Sequence, residues 1–178
     1  MSMPHGFWYN VVNMKNKFKT TLLAWLAITA ITFAISWLTR AIAEAMDLQI
    51  QAQQTLGIVL NARGWVLVSL LVQIIVVMPI AEEVVFRWLL WRLPTRIFRG
   101  DFALPAAVVS SVLFSAAHYI PKEAHFPDNA FIALFAFGLM QCELYRRTEA
   151  LWCPMLQHML FNETNIVLLF MFPSMAGV

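Results

Sequence analysis

Charge is what this sequence has least of. Acidic and basic residues make up 12% of its 178 positions and hydrophobic residues 61%, where a soluble domain carries about a quarter charged. A core of this size cannot hide such a surplus, so its natural solvent is lipid. The net charge of +2 is small. The basic residues sit at the ends of apolar runs and form no stripe, which excludes a nucleic-acid partner. Cysteine is scarce as well. Cys142 and Cys153 stand in apolar surroundings without a CxxC or Cys/His ligand spacing. That excludes a zinc ribbon and a disulfide framework and leaves both as small buried residues. Internal repeats, low-complexity tracts and signs of a second domain are also missing.

What is there is a series of apolar runs. Lys15, Lys17 and Lys19 precede the first, Leu22 to Leu38. It exceeds the ~7–15 residues of a signal-peptide core and is long enough to span. It reads as a retained helix, although Ala41-Ile42-Ala43 offers a small-x-small site. From Ala41 to Asn61 the chain is more polar, with Glu44, Asp47 and the glutamines from Gln49 to Gln54, and predicts a loop with a short amphipathic helix. A second run begins at Gly64 and passes through Pro79, where a kink is expected, into Glu82 to Trp88. The third is Phe102 to Ile120, the fourth Ala130 to Tyr145, and the fifth Ala150 to Phe172. The pattern predicts an all-α, polytopic transmembrane helix bundle of about five spans. A basic amino-terminal tail would cover residues 1–20, and a single helical domain 21–178, with its catalytic core in 65–172. Basic residues gather in that tail, at Arg92, Arg96 and Arg99, and at Arg146-Arg147. The positive-inside rule puts these ends in the cytoplasm, as in a multi-pass protein of the cytoplasmic membrane.

Against that background, Glu82, Glu83, Arg87, His118, His158 and Asn162 all fall within or against apolar runs. A charge at the centre of a membrane helix costs ~2.5–3.5 kcal/mol on insertion scales, so a site facing the bundle interior is the default expectation. Glu83 and Arg87 are four apart, share a helix face and can pair. Glu82 is turned about 100° away and meets other neighbours. Phe114 and His118 are also four apart, as are His158 and Asn162, so three helices each offer one polar face. Each residue also has a plainer reading. Glu83 and Arg87 make a structural clamp, Glu82 an inert carboxyl, either histidine a group bonded to a carbonyl, and Asn162 interhelical glue. Asn162-Glu163-Thr164 matches the glycosylation sequon, by chance if it lies inside an apolar run.

Three segments, Glu82-Glu83-Val84-Val85-Phe86-Arg87, Phe114-Ser115-Ala116-Ala117-His118 and His158-Met159-Leu160-Phe161-Asn162, resemble the motifs of the CPBP intramembrane proteases. That family includes the type II CAAX prenyl endopeptidases and bacterial proteins of bacteriocin processing and self-immunity. The order matches, and the stretch from Phe135 through Tyr145 to Pro154 is similar to the family's approach to its third motif. The resemblance covers about Gln73 to Asn165; one departure is Trp88, where the family often has Gly. It implies an intramembrane endopeptidase acting on a membrane-associated or lipid-modified peptide or protein. Catalysis would run through a glutamate-activated water, with no cofactor and no metal. Partners would be membrane lipid and substrate. The oligomeric state is not indicated.

Peptide hydrolysis needs an activated water and a stabilised oxyanion, and a carboxylate becomes a better base when desolvated. The residues fit as follows: Glu82 the base, His118 holding the water or shuttling a proton, His158 and Asn162 facing the carbonyl oxygen, and Glu83, Arg87 and Phe114 in support. Depth is a difficulty for this arrangement. His118 lies ~22 Å along its helix from Ala103, whereas His158 is early in its own, so the two meet only through tilt, kinks or unequal helix starts. Two rivals compete. Glu82, His118 and His158 could form a zinc site with an open position, although no His-Glu-x-x-His helix is present. A non-catalytic immunity or partner-binding protein would also carry intramembrane Glu and His.

Overall fold

The computed structural model describes residues 5–46, 54–98, 102–118 and 129–172, with side chains from 13, 57 and 131 onward in the first, second and last segments. The described residues hold no strand. Helix α1 is His5–Ala45, α2 is Gln54–Asn61, α3 is Gly64–Ile97, α4 is Ala103–His118, α5 is Asn129–Thr148 and α6 is Trp152–Met171. Each apolar run of the sequence thus becomes a helix. The basic stretch from His5 onward is helical and continuous with α1, and Ala41-Ile42-Ala43 lies in its last turns, where a loop was expected. The polar patch from Gln49 to Gln53, and Arg99, Lys122, Glu123 and Asp128, lie outside the described residues.

Among the described residues two helices are long and apolar enough to cross a membrane by length and composition, Asn13–Ala45 and Gly64–Ile97, and Ala103–His118 is a shorter apolar helix. Only 17% and 6% of the apolar windows of the two long helices are buried, so they are not the core helices of a soluble fold. Trp65 at 87% exposed, Trp37 and Leu104 at 72% point the same way, because apolar surface this open requires lipid.

The expected kink at Pro79 takes the form of two widened stretches, Gln73–Val77 and Glu83–Arg92, in which hydrogen bonds reach five residues back. Met78 N–H donates to Gln73 O and not to Ile74 O. Pro79 has no N–H to offer. The Ile74 carbonyl therefore has no backbone donor from its own helix, and Asn162 Nδ2 of α6 supplies one at 2.9 Å. A freed carbonyl in a membrane helix must find such a partner.

Packing is layered along the bundle. Trp91, Ala106, Ala107, Cys142 and Tyr145 form one cluster. Ile28, Phe114, Phe137 and Phe161 form a middle one. Val59, Ile166 and Leu169 close the other end. The layers resolve the depth difficulty. Glu82 and His118 stand at equal remove from the α3–α4 turn, ~22 Å along each helix, while His158 is ~9 Å into α6. The α5–α6 turn is therefore recessed by ~13 Å relative to the α3–α4 turn. Arg92, part-way down α3, reaches that recessed turn and pairs with Glu149 at 3.8 Å. Glu149 holds a left-handed backbone, φ 52°.

Helices α4 and α5 cross where Gly138 meets Ser111. A Cβ on Gly138 would lie 2.9 Å from Ser111 Cβ and Oγ and 3.0 Å from its Cα, so the contact requires glycine, as close helix crossings in membranes do. Gly138→Val should therefore destabilise the bundle by about 1–3 kcal/mol, the range for an overpacked core. Thermal unfolding in detergent checks this. Gly138→Ala should cost less than Gly138→Val, and Ser111→Gly should restore part of the Gly138→Ala loss.

Candidate active site

Helices α3, α4 and α6 converge on Glu82. Its Oε1 lies 3.6 Å from His118 Nε2 and its Oε2 3.7 Å from His158 Nε2. Side-chain exposure falls across the group, from 33% for His118 and 15% for Glu82 to 4% for His158 and 0% for Glu83. The consecutive carboxylates thus have opposite fates. The helix turns Glu83 into the sealed interior and leaves Glu82 partly exposed.

Glu83 is held from three directions. Its Oε1 receives His158 Nδ1 at 2.8 Å and lies 3.5 Å from Gln141 Nε2. Its Oε2 lies 3.2 Å from Arg87 Nε, an ion pair without hydrogen-bond alignment. Arg87 is fully buried, and its guanidinium sits 4.3 Å from the centroid of Phe114 and 5.9 Å from that of Phe86. The aromatic faces attract the cation where NH1 and NH2 have no acceptor among the described residues. Phe114 also meets the rings of His118 at 4.7 Å and His158 at 5.9 Å, and Phe137 meets His158 at 4.9 Å. Phe114 therefore touches both the dry ion pair and the two imidazoles facing Glu82.

The hydrogen bonds fix the tautomers. His118 Nδ1 lies 2.8 Å from Phe114 O, and a carbonyl only accepts, so Nδ1 carries the hydrogen. His158 Nδ1 faces the carboxylate of Glu83 and by the same rule is the donor. In the neutral rings both Nε2 atoms are then bare acceptors directed at Glu82, itself an acceptor. Their separations exceed a direct hydrogen bond. Three acceptors around one point are satisfied by a small molecule with hydrogens to donate, and a water in that place has both hydrogens drawn inward and its lone pairs left facing out.

Asn162 lies one turn beyond His158, with one amide hydrogen committed to Ile74 O and a second remaining on the same nitrogen. Trp88, after Arg87, is 45% exposed. The sequon at Asn162 is helical, and Thr164 accepts from Trp25 Nε1 at 3.3 Å. Among the described residues no group of three or more His, Cys, Asp or Glu is arranged to hold a metal ion.

Gln141 was overlooked by the sequence reading. It is fully buried on α5 and donates to Pro154 O at 3.1 Å as well as approaching Glu83, joining α5 to α3 and α6. The signal was available: an amide in the middle of an apolar run, the criterion that singled out His158.

A family model described as Type II CAAX prenyl endopeptidase Rce1-like matches residues 63–164, a span that contains every residue of this site. No curated protein and no solved structure matches the chain.

Removing one member of the buried pair leaves the other charge uncompensated, at a cost of roughly 3–5 kcal/mol. Glu83→Gln and Arg87→Met should each lower the unfolding temperature in detergent by more than the double variant does. A double-mutant cycle with simple additivity would contradict the pairing.

Proposed function

The chain belongs to the type II CAAX prenyl endopeptidase Rce1-like family and is a membrane peptidase acting on a peptide or protein substrate at the membrane, and on that premise we propose that Glu82 is the base that activates the attacking water. The observation that carries the reading is the meeting of Glu82, His118 and His158, from three helices, at 3.6 and 3.7 Å on the one wet side of a sealed ion pair. Water bound there gives one proton to Glu82, and its oxygen attacks the scissile carbonyl carbon. The carbonyl π bond opens to an oxyanion, which the remaining amide hydrogen of Asn162 stabilises. His158 takes the water's other proton at Nε2 and becomes a second donor to the oxyanion, and it gives that proton to the amine product once the centre has collapsed. The tetrahedral centre collapses, the C–N bond breaks, and the proton held by Glu82 passes to the leaving amine, with His118 as shuttle. Glu83 orients His158 through Nδ1, and Arg87 and Phe114 hold Glu83.

The substrate in this reading is a membrane-associated or lipid-modified peptide. Its bond reaches the site from the interface, and the basic ends of α1, α3 and α5 face the cytoplasm. Two imidazole nitrogens and a carboxylate are also the donor types zinc accepts, although among the described residues they are not arranged as a metal cluster. This second reading makes a different prediction for metal content.

Glu82→Gln should lower peptide-bond cleavage by about 10²–10⁴-fold, the usual contribution of a general base, without altering thermal unfolding. Sequencing new chain ends in membranes that carry wild type or Glu82→Gln identifies the product, and identical peptide sets would refute the peptidase mechanism. Loss of activity on chelation, restored by zinc, would select the metal reading.

A further inference from the structure

A groove of about 810 Å³ runs along the seam between the start of α1 and the start of α6. None of the site residues lines it. Leu22 and Leu26 of α1 and Leu156 of α6 form its apolar walls, and Lys15, Lys19 and Trp152 also line it. We propose that it binds one anionic phospholipid, with the headgroup phosphate between the two lysines and an acyl chain along the leucines.

Three features select that occupant. Lys15 and Lys19 are one helical turn apart on one face, both are exposed, and neither has a carboxylate partner among the described residues. The arginines at the same end of the bundle differ: Arg146 and Arg147 are both held by Glu143, at 2.6 and 2.7 Å. Lys15 and Lys19 therefore leave cationic charge at the groove for an external anion; Lys17 and Arg96 are also without a carboxylate partner among the described residues, but neither lines the groove. The second feature is level. Trp152 is 38% exposed beside the lysines, and an exposed indole next to ammonium groups marks the depth of lipid headgroups. The third is direction. Lys15 to Leu26 spans ~16 Å along α1, so the charged end lies at the interface and the apolar end extends toward the hydrocarbon. A phosphate with an attached chain matches this polarity. Basic pockets between membrane helices recognise acidic headgroups by the same chemistry. Free phosphate would leave the apolar walls unfilled, and a zwitterionic lipid would offer an ammonium of its own to the lysines.

The seam adjoins the catalytic helix, since Trp152 and Leu156 precede His158 on α6. The site is nonetheless separable from catalysis, and its test does not use activity.

The test is native mass spectrometry of the full chain released from nanodiscs of equal phosphatidylcholine and phosphatidylglycerol. Wild type should retain one phosphatidylglycerol in preference to phosphatidylcholine. Lys15→Gln and Lys19→Gln should each weaken retention roughly fivefold, the worth of one basic group near an anionic surface, and the double variant more. Leu26→Trp, which fills the groove without changing charge, should also reduce retention. Lys17→Gln, outside the groove, and Glu82→Gln should retain lipid as wild type does. Equal retention of both lipids, equal loss in Lys17→Gln, or a lipid-free dimer whose contacts cover the seam would each overturn the proposal.

Discussion

The buried pair of Glu83 and Arg87 is the constraint that orders the rest of the bundle. Both side chains are wholly inaccessible, and in a lipid-solvated protein neither can turn outward for help. Taking two ions out of water costs several kcal/mol each unless neighbours compensate. The neighbours come from every inner helix: His158 from α6, Gln141 from α5 and the ring of Phe114 from α4. Helix–helix association in a membrane lacks a hydrophobic drive, so these polar and aromatic contacts specify which helix faces meet. The ion pair lies within one helix and joins nothing by itself. It acts as the hub to which the other helices attach.

A second constraint is the backbone at Pro79. The proline removes a donor and the preceding turn widens, which leaves Ile74 O without a partner in α3. Asn162 supplies it from α6. Two registers between α3 and α6 are thereby fixed, one at Glu83–His158 and one at Ile74–Asn162. Because Glu82 is the immediate neighbour of Glu83, its position relative to His158 follows from these two anchors. The carboxylate facing water is thus placed by contacts it does not itself make.

Much of this was legible in the sequence. The apolar runs became helices, and the residues that do not belong in lipid, Glu82, Glu83, His118 and His158, lie together. What was not legible has physical reasons. Depth stayed open among tilt, kinks and unequal helix starts, because the sequence does not set the level of a turn; the starts are unequal, with the α5–α6 turn recessed and tied to Arg92 through Glu149. The widened turns of α3 depend on how a proline's lost hydrogen bond is absorbed, which a 3.6-residue period does not encode. Gln141 escaped notice because a lone amide carries no motif. The extension of α1 to Ala45 overrode a polar composition at its end, as an already formed helix continues at little cost.

Hydrolysis inside a lipid-solvated bundle also requires that water reach the site, and the late start of α6 bears on that need. The 16 described residues of α4 give ~24 Å, and His118 is the last of them. Helix α6 begins only ~9 Å before His158. On the α6 side the protein wall beside Glu82 is therefore thin. Exposure falls from His118 through Glu82 to the sealed Glu83. Water reaching Glu82 from the His118 side would meet the ring of Phe114, behind which the ion pair is sealed and holds the imidazole in place.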